Sequence, residues 1–281
     1  MYLALQYVSC IKMDAITTEP FLRWAGSKRK ILPILTNYWH ADYKRYVEPF
    51  AGSAALFFHL GPKRALLNDL NVQLIEVFDS VRNNPDLFHS LLSRIPCSKH
   101  NYYRMRSVHP NTLPSLDRAV RFAYLNRNCF NGIYRTNLKG EFNVPYGGLK
   151  QNAVPPIEVF RKCALLLDRA ELRATDFNRV LRFTKKGDFV YLDPPYAVQS
   201  RRVFRQYGPK TFNTDDLERL ADGLRTADAR GARFAVSYAD CATAKHILRA
   251  WTQRRIRVRR NIAGFVGARR FAYEIIATNI E

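Results

Sequence analysis

The sequence predicts a doubly wound α/β fold with an inserted, mainly helical subdomain. Three observations carry this. Short apolar runs alternate with stretches of helical periodicity in the first and last parts of the chain. Several of those runs end in small or acidic residues. The interval between the two parts is longer than the alternation needs.

The first run, Arg45 to Phe50, reads as a strand. The small-residue turn Ala51-Gly52-Ser53-Ala54-Ala55 follows, then a helix over Leu56 to Leu60. A second strand, Arg64 to Leu67, ends at Asn68-Asp69. The next helix, Val72 to Arg82, puts Leu74, Ile75, Val77, Phe78 and Val81 on one face. Such a βαβ start implies a parallel sheet with helices on its faces. The pattern resumes at Glu171 to Thr175, which ends at Asp176, and at Asp188 to Leu192, which ends at Asp193. Thr214-Asp215-Asp216 signals a helix running to about Asp228. Ala232 to Ser237 reads as a strand and Ala242 to Trp251 as a helix. Arg255 to Asn261 and Phe271 to Asn279 read as a closing antiparallel pair around a Gly-containing loop.

Three βα units need roughly 75–100 residues at ~30 each, so the stretch from Gly52 to Asp193 carries a surplus. It falls between Asn83 and Val154, which holds a helix over Leu116 to Asn126, an aromatic-basic composition and the glycines Gly140, Gly147 and Gly148. The expected division is an extension at 1–18, core at 19–82, a recognition insert at 83–154 and core again at 155–281. Gln151-Asn152-Ala153-Val154-Pro155-Pro156 marks the return.

Charge and composition narrow the function. The 281 residues hold 45 Lys+Arg against 24 Asp+Glu, a net +21. Arginine supplies 32 of those cations and lysine 13, and guanidinium groups suit bidentate contacts to phosphates and base edges. A polyanionic partner follows. Apolar residues at 47% and aromatics at 13% exclude a disordered chain. No uncharged apolar stretch reaches the ~18 residues of a membrane span. The weakly apolar start lacks the basic n-region and cleavage site of a signal peptide. Five scattered cysteines without a CxxC pair point to a reducing compartment, and six histidines without ligand spacing point away from a metal site.

Two segments carry candidate chemistry. Phe50-Ala51-Gly52-Ser53 is not the glycine-rich dinucleotide fingerprint. Even so, a glycine after the first strand admits a ligand close to the backbone, and Asp69 ends the strand where such folds bind a ribose diol. An ordinary βα turn fits the same residues. Asp193-Pro194-Pro195-Tyr196 is sharper. The prolines stop the strand and cannot donate, leaving a carboxylate, free carbonyls and a ring at the C-terminal edge where open α/β sheets bind ligands. Two acceptors and a stacking ring suit an exocyclic amine.

Taken together, the ordered segments resemble the Dam-type (D12 class) DNA adenine-N6 methyltransferases, the group with the cofactor motif first. Phe21-Leu22-Arg23-Trp24-Ala25-Gly26-Ser27-Lys28 is similar to the family's WAGxK motif and Val47-Glu48-Pro49-Phe50-Ala51-Gly52-Ser53 to its EPFxG motif. Asn68-Asp69-Leu70-Asn71 resembles its acidic motif and Asp176-Phe177 its DF motif. Tyr191-Leu192-Asp193-Pro194-Pro195-Tyr196 resembles its YxDPPY. The likeness spans about Glu19 to Asn279.

It implies a Rossmann-like core and S-adenosyl-L-methionine as methyl donor. Trp24, Ala25, Gly26 and Lys28 would line the pocket near the methionine end, and Phe50, Gly52 and Ser53 would pass under it. Asp69 would take the ribose hydroxyls, and Asp176 with Phe177 the adenine. Asp193 would border both cofactor and target. Asp193 and the Pro194 carbonyl would accept the protons of the target N6, with Pro195 shaping the turn. Tyr196 would stack on an adenine taken out of the duplex.

The insert carries the likeness further. Asn126 to Asn137 and Gly140 to Gly147 resemble the family's YNGLxRxN…GxFNVPFG segment. In members that read GATC, positions matching Arg135, Ile133 and Pro145 touch base edges. Phe130, Asn131 and Asn137 belong to the same DNA-facing set. Phe130 stands at a Tyr position, Ile133 at a Leu position, and Gly148 where some members have Arg. Arg201 and Arg202 after the Asp-Pro-Pro-Tyr segment, and Arg269 and Arg270 in an acid-free run of eight arginines over 249–270, would be further contacts to the DNA backbone. Alternation over Arg255 to Arg259 would put arginines on one strand face.

The expected partner is double-stranded DNA, with a cognate restriction endonuclease as a candidate, and neither metal nor membrane. The expected location is the cytoplasm of a bacterial, archaeal or phage-infected cell, at the nucleoid. An RNA or N4-cytosine amino methyltransferase is the alternative, and a noncatalytic DNA-binding module a more distant one.

Overall fold

The apolar runs become strands β1 (Arg45–Glu48), β2 (Ala65–Asn68), β3 (Ala170–Arg173), β4 (Asp188–Leu192), β5 (Arg233–Ala239), β6 (Thr252–Arg259) and β7 (Phe271–Thr278). The computed structural model describes residues 16–137, 139–148, 153–197, 212–259 and 271–281. The strands form one sheet in the order β3-β2-β1-β4-β5-β7-β6. The first five run parallel, and β7 lies antiparallel between β5 and β6. This is the doubly wound α/β arrangement, closed by the antiparallel pair.

The helices are α1 (Leu32–Thr36), α2 (Ala55–Leu60), α3 (Val72–Asn83), α4 (Pro85–Ser93), α5 (Lys99–Ser107), α6 (Ser115–Asn128), α7 (Ile157–Leu167), α8 (Phe177–Leu181), α9 (Thr214–Ala229) and α10 (Ala242–Ile247). Strand periodicity explains how they divide. Tyr46, Phe189 and Tyr191 enter one apolar cluster with Phe57, Phe78 and Phe160 of α2, α3 and α7. Their neighbours Val47, Val190 and Leu192 enter a second cluster with Val180, Leu220 and Ala244 of α8, α9 and α10. β2 and β4 are buried along their whole length, as strands covered on both faces must be.

Several boundaries differ from the sequence reading. The start of α9 is capped by Asn213, whose side chain and that of Asp216 each accept the other's backbone N–H. α10 ends at Ile247 because Trp251 is drawn inward. Its ring meets Phe234 edge-on at 5.2 Å and its indole N–H donates to Asp228 Oδ2 at 2.9 Å. α1, α4, α5, α7 and α8 are absent from the sequence reading, although α4 is capped by Asn84 ahead of Pro85 and α7 buries one face through Phe160, Cys163, Ala164, Leu166 and Leu167. α5 buries only Tyr102, so it has no apolar stripe to betray it. In β6, Ile256 and Val258 are buried while Arg255 and Arg257 are exposed, which is the alternation expected there.

Helices α4 to α6 share the first apolar cluster, through Phe88, Leu92, Tyr102, Phe122, Tyr124 and Leu125. Arg118 of α6 grips Glu76 of α3 with two hydrogen bonds of 2.7 Å. Among the described residues, no helix is long and apolar enough to cross a membrane.

The strand order places the site. After β1 the chain moves to β2 on one side, and later to β4 on the other. The C-terminal ends of β1 and β4 therefore flank a topological switch point, where a crevice forms. Asn68, fully buried, fixes that edge. Its amide donates to Pro49 O and Thr175 O, both at 2.9 Å, and accepts from Thr175 N at 3.0 Å.

Candidate active site

Asp193 stands one residue past β4 at this edge. Lys28 Nζ lies 3.0 Å from its Oδ1, and Ser237 Oγ of β5 donates to the same oxygen at 3.1 Å. Tyr191 backs Ser237 across 3.0 Å. Among the described residues, both of these contacts fall on Oδ1. Burial raises the Asp193 pKa above the usual carboxylate value, and the Lys28 charge pulls it back. For Lys28, burial works against the charge, but Asp193, Tyr196 and Glu274 outweigh it and hold the ammonium protonated. Pro194 is buried, while Pro195 and Tyr196 are half-buried. The Tyr196 ring packs edge-on against Tyr238 at 5.2 Å, and Tyr238 OH accepts the Ala197 N–H at 2.6 Å.

The Trp24 segment faces β1 across the crevice. The indole stacks beside Tyr134 at 6.2 Å and Phe122 at 6.5 Å. A Cβ at Gly52 would come within 2.9 Å of it, and Gly52 has φ +49°. A glycine is therefore required here by both space and backbone conformation. Gly52 N donates to Asp69 Oδ2 at 3.0 Å, and Asn71 N donates to Oδ1 at 2.9 Å. Burial raises the Asp69 pKa despite these bonds. Ser53 and Ser27 hydroxyls meet at 3.4 Å. Asp176 caps α8 through Asn178 N at 2.9 Å, and Arg219 reaches its two oxygens at 3.0 and 3.1 Å. Phe177 lies 5.2 Å from Phe50.

Three carboxylates, two hydroxyls and an aromatic pair thus converge on the C-terminal ends of four parallel strands, in a chain that is strongly basic elsewhere. Acids at the ends of β2, β3 and β4 beside an aromatic pair fit an adenosyl group that carries a positive charge.

The insert is joined to this edge. Asn126 of α6 pairs with the Arg23 backbone, accepting its N–H at 3.0 Å and donating to its carbonyl at 2.5 Å. Arg127 donates to Phe21 O at 2.7 Å and to Ala153 O. Ala25 N donates to Gly132 O at 3.3 Å. Phe130, Asn131 and Pro145 are exposed, and Phe130 N donates to Pro145 O at 2.9 Å. Arg135 Nε donates to Asn143 Oδ1 at 2.8 Å. Ile133 packs on the core, and Asn137 closes its own turn by accepting from Lys139 N and Glu141 N at 3.0 Å. Arg201, Arg202, Arg269 and Arg270 lie outside the described residues.

Sequence reasoning missed Ser237 and Glu274, which contact the Asp193 cluster. Their signals were faint: a serine within β5, and one acid inside the otherwise apolar Phe271 to Thr278 run.

Glu48, at the end of β1, is 3% exposed. Burial pushes its carboxyl well above the ordinary 4.5. The folded chain therefore keeps this proton to higher pH than the unfolded chain. The resulting stability is fully present below the unfolded value and is lost as pH rises through the raised folded one. Glu48→Gln removes that dependence. Urea melts should show the wild type falling behind this variant by up to about 1.4 kcal/mol per pH unit between the two values. Parallel curves would count against a buried proton at Glu48.

Residues 24–262 match the family described as D12 class N6 adenine-specific DNA methyltransferase. The type II methyltransferase M1.LlaDCHI of Lactococcus lactis subsp. cremoris is 31% identical, over 97% of this chain and 99% of its own. The retron Ec67 DNA adenine methylase of Escherichia coli is 33% identical over 92% and 90%. The DNA adenine methylase of Haemophilus influenzae is 30% identical over 87% and 88%. With that match and the acid-bearing sheet edge together, the chain belongs to the D12 class of N6 adenine-specific DNA methyltransferases and is an adenine-specific DNA methyltransferase.

Proposed function

We propose that the protein methylates the N6 amine of a flipped adenine in duplex DNA, within GATC. The observation that carries the site assignment is the one-sided pairing of Asp193 among the described residues. With Lys28 and Ser237 on Oδ1, Oδ2 is the oxygen offered to a target. The N6 lone pair is delocalised into the purine ring. Accepting the two N–H groups at Asp193 Oδ2 and at the Pro194 carbonyl localises it. Tyr196 stacks on the base, and Asp193 then receives the proton that N6 releases.

S-adenosyl-L-methionine, when bound, supplies a methyl group activated by its sulfonium charge. Asp69 and the Asp176–Phe177 pair hold its adenosine. Trp24, Ala25, Gly26 and Lys28 wall the other end, with Phe50, Gly52 and Ser53 beneath. Residues 83–154 serve as the recognition insert between core segments 19–82 and 155–281. In that insert Arg135 reads a guanine edge, a contact worth ~1–3 kcal/mol of discrimination, with Asn143 restricting its guanidinium beforehand. Ile133, Asn137 and Pro145 shape the same surface, and exposed Phe130 with Asn131 fills the space a flipped base leaves. Arg201, Arg202, Arg269 and Arg270 add phosphate contacts. A restriction endonuclease reading the same sequence is the candidate partner.

Methylation of duplex oligonucleotides carrying GATC, a scrambled site or single strands, followed by base analysis, tests this reading. N6-methyladenine confined to the GATC duplex is expected. N4-methylcytosine, or a preference for RNA, would replace it with the alternative amine chemistry.

A further inference from the structure

Glu274 belongs to none of the segments that carry the family likeness. It stands in β7 opposite Ala239 of β5 and Ile256 of β6, and it is 2% exposed. An acid that deep in an apolar strand is costly unless it is paired. Its Oε1 accepts the Tyr196 hydroxyl at 2.9 Å, and its Oε2 lies 3.4 Å from Lys28 Nζ. That same ammonium reaches Asp193 Oδ1 at 3.0 Å and lies 5.5 Å from the Tyr196 ring centre. One carboxylate thus hydrogen-bonds the hydroxyl of the stacking ring and ion-pairs with the cation beside the acid.

We propose that Glu274 is a positioning residue for methyl transfer. It fixes the tilt of the Tyr196 ring through the hydroxyl and holds Lys28 on the Oδ1 side of Asp193, so that Oδ2 faces the target amine. Tyr238 limits where the ring sits; the hydroxyl, donating to Glu274 at 2.9 Å and accepting from Lys28 Nζ at 3.4 Å, sets how it tilts. The Glu274 charge also acts on Asp193 directly, because a second carboxylate nearby makes Asp193 harder to ionise. The inference rests on the assignment of Asp193 and Tyr196 to the target base.

The test uses the full chain and four variants: Glu274→Gln, Glu274→Ala, Tyr196→Phe, and Tyr196→Phe combined with Glu274→Ala. Glu274→Ala should lower kcat by about 10–100-fold, while S-adenosylmethionine affinity by titration stays within about threefold. Glu274→Gln keeps an acceptor for the tyrosine but loses the charge. It should lose less activity, about 3–10-fold, and its acid limb of kcat should move to lower pH because Asp193 ionises more readily. Tyr196→Phe should cost about 3–10-fold in the wild type and clearly less in Glu274→Ala, where the Glu274 bond is already gone and the longer Lys28 contact to the hydroxyl remains to be lost. A purely structural role would instead lower stability and cofactor affinity together, leaving the acid limb in place.

Wild-type kcat in both Glu274 variants, an unmoved acid limb, or additive losses in the double variant would each overturn the proposal. If Glu274→Ala does not fold, Glu274→Gln with its pH profile decides alone. An active Asp193→Ala enzyme would overturn the underlying site assignment instead.

Discussion

Asp193→Ala is expected to lower methyl transfer by about 10²–10⁴-fold while leaving S-adenosylmethionine binding nearly intact. The carboxylate sits at the end of β4, with Lys28 and Ser237 on one oxygen. Its removal deletes the acceptor proposed for the N6 amine. The groups assigned to the adenosine, Asp69, Asp176 and Phe177, stand on the β2 and β3 side of the crevice and keep their own partners. The variant also leaves Lys28 with one carboxylate, Glu274, at 3.4 Å. That ammonium remains paired, so the fold should survive. Single-turnover transfer and cofactor titration on the same preparation check the prediction. Near wild-type transfer would remove Asp193 from the chemistry, and loss of cofactor binding would make it a pocket residue first.

Gly52→Ala should weaken S-adenosylmethionine binding by about 10–100-fold. Two effects add. The backbone is in the left-handed region at φ +49°, and the new methyl would lie 2.9 Å from the Trp24 indole. The indole has little room to yield, because Tyr134 and Phe122 stack beside it. Moving Gly52 also disturbs its N–H bond to Asp69. Gly231→Ala is the control for backbone strain alone. It has φ +79° and lies beside Lys186 across the sheet edge from the site. That variant should melt earlier yet bind cofactor as the wild type does. Unchanged affinity in Gly52→Ala would show that nothing binds close to this turn.

Much of the core was legible because its signals are local. An apolar run closed by an acid marks the end of a buried parallel strand, and Asp69, Asp176 and Asp193 all stand at such ends. Gly52 was legible for the same reason, as the small residue in a tight turn. Elements without a local signature were not. α5 buries one residue; α7, by contrast, has an apolar face of Phe160, Cys163, Ala164 and Leu167 that directly follows the prolines of the return linker. The contacts that surround the candidate site were harder still. Ser237 reaches Asp193 across 44 residues and Glu274 reaches Tyr196 across 78. The pairing of Asn126 with Arg23 spans 103. No periodicity encodes such distances.

The sequence by itself determined the fold class, the order of the parallel strands' acidic ends, the excess of arginine and the family likeness. Each is a matter of residue type and spacing. What only the tertiary structure decided is which side chains stand behind those ends. The antiparallel pair was readable, but its insertion with β7 beside β5 was not. Strand order and register follow from how apolar faces pack. That one placement brings a buried glutamate beneath the tyrosine and lysine of two distant motifs, because β7 carries Glu274 opposite Ala239. The charge pattern of the site, one ammonium between two carboxylates, is therefore a product of packing rather than of any motif.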